Sequence, residues 1–225
     1  MFTPIPVNPA FVRLIMISLF NFRWLLLISS LTWSSMFQSA LSDPIPIASQ
    51  GFAKATFAGG CFWCMEPPFE QLPGVISVTS GYTGGHKTSP TYQEVSSGDT
   101  GHAEAVEIVY DPAKTNYSRL LDVFWRNIDP LDAAGQFCDK GQQYRSAIFY
   151  HDDEQKRFAE TSKQVLEQSA RFKKPIATAI VPATIFYAAE DYHQTYYQKN
   201  PVRYKYYRYS CGRDQRLEEL WGAPQ

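Results

Sequence analysis

Ala53-Lys54-Ala55-Thr56-Phe57-Ala58-Gly59-Gly60-Cys61-Phe62-Trp63-Cys64 reads as a strand, a turn and the start of a helix. The apolar run at 53–58 ends in two glycines, which allow a tight turn and a close approach to another group. A helix beginning near Cys61 places that sulfur at a helix N-terminus. There the unpaired N–H groups and the helix dipole favour a thiolate over a thiol. Phe62 and Trp63 then form an apolar wall beside it. Other readings of the same residues stay open. A Cys beside an apolar strand is often an inert, buried hydrophobe. A C-x-x-C pair is half of a zinc site or a sign of thioredoxin-like exchange. For zinc the second half is missing, because Cys138 and Cys211 lie far apart and no H-x3-5-H occurs. For exchange, two bulky aromatics between the cysteines are unusual.

The 225-residue chain changes character near residue 50. Residues 1–42 hold no acidic residue, and Arg13 and Arg23 are their only charges. The apolar block at 24–33 follows a positive charge and is followed by Ser34, Ser35, Ser39 and Ala40, the order of a secretory signal. Residues 24–42 carry no charge and are also long enough for a membrane anchor. Export, to the periplasm or another extracytoplasmic space, or membrane anchoring is therefore expected, with a cytoplasmic location if translation starts downstream. Residues 43–50 read as an extended linker and 51–225 as one domain. A net charge of −1 argues against a general nucleic-acid binder. Four cysteines are too few for a disulfide scaffold but enough for a redox relay.

From residue 51 onward, strands and helices alternate irregularly. Strands are expected at 53–58, 75–80, 103–110, 144–150, 177–181 and 184–187. Helices are expected at 61–72 and 91–95, from a Ser118 cap to 126, from an Asp152–Gln155 capping box to about 172, and at 190–199. Residues 127–143 read as a long loop, the kind that is usually functional or mobile. The pattern indicates an α+β or α/β domain with helices covering a sheet. In the 103–110 strand, Glu104 shares a face with Val106, Ile108 and Tyr110. A carboxyl on that apolar face is partly desolvated and has a raised pKa. His86, His102, His151 and His193 are all candidate bases for a cysteine nucleophile, and sequence does not rank them.

Ordered blocks then carry a resemblance. Gly59-Gly60-Cys61-Phe62-Trp63, Gly81-Tyr82-Thr83-Gly84-Gly85, Thr91-Tyr92-Gln93-Glu94-Val95, Gly101-His102-Ala103-Glu104-Ala105-Val106, Gln143-Tyr144-Arg145-Ser146 and Ala189-Glu190-Asp191-Tyr192-His193-Gln194 resemble the signatures of the A-type peptide methionine sulfoxide reductases. The resemblance covers about residues 52–200. It implies a two-layer α/β sandwich with a ferredoxin-like core, here followed by an irregular C-terminal tail. It implies reduction of methionine-S-sulfoxide, free and in oxidised proteins, by a Cys61 thiolate that becomes a sulfenic acid. Glu104 would give the sulfoxide oxygen its proton, and Tyr92 and Tyr144 would hydrogen-bond that oxygen. Phe62 and Trp63 would hold the S-methyl group, while Asp139, His193 and Tyr196 would bind substrate or support the site.

No cofactor or metal is implied. Thioredoxin or another dithiol would be the reductant, and a monomer is expected. Many family members carry Gly where this chain has Cys64 and resolve from the tail. Cys64 and Cys211 are thus both resolving candidates, singly or in relay, with Cys138 a weaker third. Two other functions stay beside this one: a thiol–disulfide oxidoreductase using Cys61 and Cys64, and a tethered domain whose cysteines bind a metal. The Lys, Arg and Tyr residues of the tail read as a packed aromatic segment in preference to a nucleic-acid patch.

Overall fold

The structure, a computed structural model, describes residues 51–223. The signal or anchor expected at 1–42 and the linker at 43–50 lie outside them. In chain order, β1 (Ala53–Gly59) leads through Cys61 into α1 (Phe62–Glu70), β2 (Val75–Thr83), α2 (Tyr92–Ser97), β3 (Ala103–Tyr110) and α3 (Tyr117–Arg126). A small hairpin, β4 (Gly135–Gln136) and β5 (Asp139–Lys140), and a 3-10 turn at Gln142–Tyr144 precede β6 (Ser146–Tyr150). Next come α4 (Asp153–Gln168), β7 (Ala179–Pro182), β8 (Tyr187–Ala188), α5 (Tyr196–Lys199), α6 (Pro201–Ser210) and α7 (Arg213–Trp221).

The main sheet has the order β7-β6-β1-β3-β2-β8. All its pairs are antiparallel except β6–β7. Its inner strands, β6-β1-β3-β2, with α1 after β1 and α3 after β3, make the βαββαβ ferredoxin-like arrangement. The fold is α+β, with helices layered on one face of the sheet.

Period-two alternation sorts the strand residues between two cores. Ala55 and Phe57 of β1 and Val106, Ile108 and Tyr110 of β3 meet the helices, together with Phe69, Leu120 and Phe124. Ala58, Ala103, Ala105 and Ala147 face the other way, where small side chains let Phe186 and its neighbours lie close. Phe57 is the centre of the larger core, with ring centroids 5.5, 6.0 and 5.0 Å from Phe69, Tyr117 and Phe124.

Several elements differ from the sequence expectation. Asn116, not Ser118, caps α3 by accepting the Arg119 N–H. Asp152 does cap α4, but Gln155 accepts from the His151 N–H instead of closing a capping box. The 127–143 stretch contains the β4–β5 hairpin, whose tight closure needs its own packing and leaves no sequence periodicity. The expected helix at 190–199 is helical only over Tyr196–Lys199, because Thr195 takes a left-handed conformation at φ 50°. The tail expected to be irregular is helical. Pro201 starts α6 in the favoured first position, and no α6 side chain is fully buried, so no apolar stripe announces the helix.

Phe57→Ala should cost about 3–5 kcal/mol of stability, measured by denaturant unfolding. A loss of about 0.5 kcal/mol, the range of surface substitutions, would contradict the central packing role.

Candidate active site

The Gly59–Gly60 turn sets the position of Cys61. A Cβ at Gly59 would meet Met65 Sδ at 2.6 Å, and one at Gly60, where φ is +82°, would meet Gln136 Cβ at 2.6 Å. No larger residue fits either place. Cys61 is the N-cap of α1, and its carbonyl accepts the Cys64 N–H at 3.0 Å. Its sulfur therefore stands at a helix N-terminus, as the sequence indicated. The first helical N–H, that of Phe62, donates at 3.1 Å to Glu104 Oε2 from β3.

A small pocket of about 70 Å³ opens here, lined by Cys61, Phe62, Trp63, Tyr92, Glu104, Asp139, Tyr144 and Tyr207. Seven of these are site residues singled out in the sequence; Tyr207 is not. His193 and Tyr196 lie behind the wall. The Trp63 Nε1–H donates to His193 Nδ1 at 3.1 Å, and Tyr196 stacks on the indole at 3.7 Å and 7°. Because Nδ1 accepts, the His193 ring carries its proton on Nε2, and burial lowers its pKa. His193 is thus a support for Trp63, not a base for Cys61. Glu190 joins the supports: it accepts from the Tyr92 N–H at 2.9 Å and from the Tyr82 hydroxyl at 2.8 Å.

Burial governs the titration of the site. Glu104 is 2% exposed. Desolvation raises its pKa to about 8, against the Phe62 N–H bond and with the charges of Asp139 and Cys64 adding to the rise. The carboxyl is protonated at neutral pH. The thiolate expected of Cys61 from its helix N-terminus is not what the structure gives: desolvation holds Cys61 as a thiol, and the neighbouring Cys64 adds to the rise. The neighbouring Cys61, with the guanidiniums of Arg213 and Arg208 acting against burial, draws Cys64 down to about 6. Desolvation raises Asp139, and the Tyr207 hydroxyl, which donates to Asp139 Oδ2, opposes this. Burial pushes the Tyr92 and Tyr144 hydroxyls up, so both remain neutral donors.

Cys138 and Cys211 form a disulfide, while Cys61 and Cys64 are free and buried. The sequence treated Cys211 as a partner for Cys61; in this state its sulfur is committed to Cys138. Cys138 immediately precedes the pocket residue Asp139, and Cys211 follows Tyr207 by one helical turn. The bond therefore clamps two walls of the pocket together. Among the described residues, the group with metal-ligand chemistry is Cys138, Asp139 and Cys211, and its two sulfurs are bonded to each other.

Chemically, the pocket brings together a nucleophilic sulfur with a second sulfur beside it, a protonated carboxyl, hydroxyl donors and an apolar wall. That set can move an oxygen from a small substrate onto sulfur.

Comparison with known proteins fits this chemistry. A family profile described as peptide methionine sulfoxide reductase matches residues 53–225. The peptide methionine sulfoxide reductase MsrA of Bacillus subtilis is 57% identical over 169 residues, which are 75% of this chain and 96% of that protein. Among solved structures, reduced Mxr1 of Saccharomyces cerevisiae superimposes with a TM-score of 0.61 at 35% identity, covering 67% of this chain and 86% of that one. Methionine sulfoxide reductase A of Corynebacterium diphtheriae also gives 0.61, at 34% identity, covering 69% and 78%.

The sulfur pairing has a direct test. Denatured without reductant, the protein should offer the two free thiols of Cys61 and Cys64 to an alkylating reagent, and peptide mapping should find Cys138 joined to Cys211. Four free thiols, or Cys211 joined to Cys61, would contradict the arrangement.

Proposed function

This chain belongs to the peptide methionine sulfoxide reductase family and reduces methionine sulfoxide, and from that premise we propose how its own residues perform the reaction. The observation that carries the mechanism is the buried, protonated Glu104 held against the first turn of the helix that Cys61 caps.

The substrate is the S epimer of methionine sulfoxide, free or in an oxidised protein. Its S-methyl group lies against Phe62 and Trp63, which supplies orientation. Cys61 passes its proton to Cys64 as its sulfur bonds to the sulfoxide sulfur. The sulfur pair starts with one negative charge, which passes through Cys61 to the sulfoxide oxygen and ends on the Glu104 carboxylate, so the attack brings no new charge into the pocket. The sulfoxide oxygen becomes more basic and takes the Glu104 proton, while the Tyr92 and Tyr144 hydroxyls donate to it. The oxygen ends on Cys61 as a sulfenic acid, and the thioether, methionine, leaves.

Cys64 resolves the sulfenic acid. It gives the proton it took to the Glu104 carboxylate and, as a thiolate, attacks the Cys61 sulfur. The S–S bond forms as the S–O bond breaks, and the leaving hydroxide takes that proton to become water. Cys64 is one helical turn from Cys61, whose carbonyl accepts its N–H at 3.0 Å. The buried Cys61–Cys64 disulfide then passes its oxidising equivalents to the more exposed Cys138 and Cys211 when these are reduced, and thioredoxin or another dithiol closes the cycle. Residues 1–42 read as a signal for export or anchoring, which would require a reductant in the same compartment. Among the described residues no helix is long and apolar enough to cross a membrane.

Reaction needs a thiolate in the sulfur pair and a proton on Glu104. The single-turnover rate should therefore rise as pH passes about 6 and fall as it passes about 8. Glu104→Gln should slow methionine formation by about 10²–10⁴-fold and abolish the alkaline fall, while leaving disulfide exchange with a small dithiol nearly unchanged. Equal loss in both reactions, or an unchanged alkaline fall, would remove Glu104 as the acid.

A further inference from the structure

Glu66 is a carboxyl on α1 that is wholly buried and takes no part in the reaction. It stands four residues after Phe62, on the same side of the helix. Its Oε1 accepts the Thr195 N–H at 3.1 Å, and its Oε2 has no partner. Burial raises its pKa to about 7, against the Thr195 N–H bond. As carboxylate or as carboxylic acid, it offers Thr195 an acceptor. A carboxyl is costly to bury, and what this one holds is a strained turn.

Thr195 is β-branched and yet adopts a left-handed conformation, with φ 50° and ψ 38°. Such a residue is an outlier and persists only where its surroundings over-determine it. The following α5 is one turn long and has no side-chain cap, so it does not hold itself. Its neighbours do so. The Gln194 side chain bonds both the N–H and the carbonyl of Ser80 on β2. Glu66 takes the Thr195 N–H, and the Tyr197 hydroxyl donates to Glu70, one turn further along α1.

The residues flanking this turn reach Trp63. His193 accepts from the indole N–H at 3.1 Å, and Tyr196 stacks on the indole with ring centroids 3.7 Å apart. The turn thus grips Trp63 by its edge and by its face. Trp63 is in turn a wall of the pocket, whose volume of about 70 Å³ leaves little room beside a methyl group.

We propose that Glu66 is a positioning residue for methyl recognition: by holding the Thr195 turn it fixes the wall that Trp63 presents, and so sets how large an S-alkyl group the pocket accepts. The proposal rests on the reading that the S-methyl group lies against Phe62 and Trp63. Glu66 touches neither substrate nor sulfur. With its bond to Thr195 removed, Tyr196 and the indole gain freedom to shift, and the pocket admits an extra methylene.

The test sets methionine-S-sulfoxide and ethionine-S-sulfoxide in competition for the full-length chain with a dithiol reductant. It reads the ratio of their kcat/KM values, which does not depend on how much of the protein is folded. One methylene in an apolar pocket gives a preference of about 10–200-fold. Glu66→Leu, close in size but unable to accept, should lower the native ratio by about tenfold, the low end of that range. Glu66→Gln, which keeps an acceptor, should leave the ratio unchanged. An unchanged ratio in folded Glu66→Leu, or equal falls in both variants, would overturn the proposal, since a merely structural carboxyl moves stability and not preference. If Glu66→Leu does not fold, Glu66→Asp, whose carboxyl is withdrawn by one methylene, decides in the same way. Trp63→Phe separates the two readings. A lowered ratio there beside an unchanged one in Glu66→Leu would keep the Trp63 wall and remove Glu66. An unchanged ratio in Trp63→Phe would remove the wall and the proposal with it.

Discussion

The hydrogen bond from the Phe62 N–H to Glu104 Oε2 ties the start of α1 to the second residue of β3. The same helix start carries Cys61, so this one bond sets the carboxyl and the thiol against each other. Everything around it serves the register. β1 and β3 pair directly, with Phe57 opposite Val106, which brings the exit of β1 and the entrance of β3 to the same edge of the sheet. The two glycines let the chain turn there against Met65 and Gln136. Removing water from this corner raises the carboxyl, and the lone N–H bond is too weak an opponent to restore an ordinary carboxylate. A proton donor at neutral pH is therefore a product of packing.

Charge economy is the second theme. A buried pocket tolerates little net charge, so the reaction proceeds best when each step moves a proton along with the sulfur chemistry. In the proposed mechanism the proton passed from Cys61 to Cys64 does this for the attack, and the neutral Glu104 does it for the departing oxygen. The aromatic supports are mostly uncharged for the same reason. His193 is kept neutral behind Trp63, and the tyrosines remain hydroxyl donors. The Cys138–Cys211 bond lies at the outer side of this arrangement and joins the segments that supply Asp139 and Tyr207.

Much of the site was legible in the chain because it depends on local rules. The strand-glycine-glycine-cysteine order predicts a sulfur at a helix start, and period two alone puts Glu104 among Val106, Ile108 and Tyr110. The family resemblance set Phe62, Trp63, Tyr92 and Tyr144 toward the substrate but left open which of Asp139, His193 and Tyr196 face it and which brace the wall. Tyr207, Arg213 and the Cys138–Cys211 pairing were missed for a common physical reason. They are brought in by α6 and α7, and α6 buries no side chain fully, so its tyrosines and arginines resemble a solvated tail until the helix is docked. A disulfide between cysteines 73 residues apart likewise depends on tertiary packing alone. Glu190 lay inside a quoted block, but its role as acceptor for Tyr82 and Tyr92 needs the β2–β3 register and the following turn.

The central claim is that Cys61 reduces the sulfoxide and Cys64 resolves it. A single turnover tests this most directly: protein with Cys138–Cys211 intact and Cys61 and Cys64 reduced is given excess methionine-S-sulfoxide without reductant, and methionine, free thiols and disulfides are measured together. The account predicts an equimolar yield of methionine, loss of both free thiols and a new Cys61–Cys64 disulfide. No methionine from the folded, reduced protein, or methionine with Cys64 still free, would contradict it.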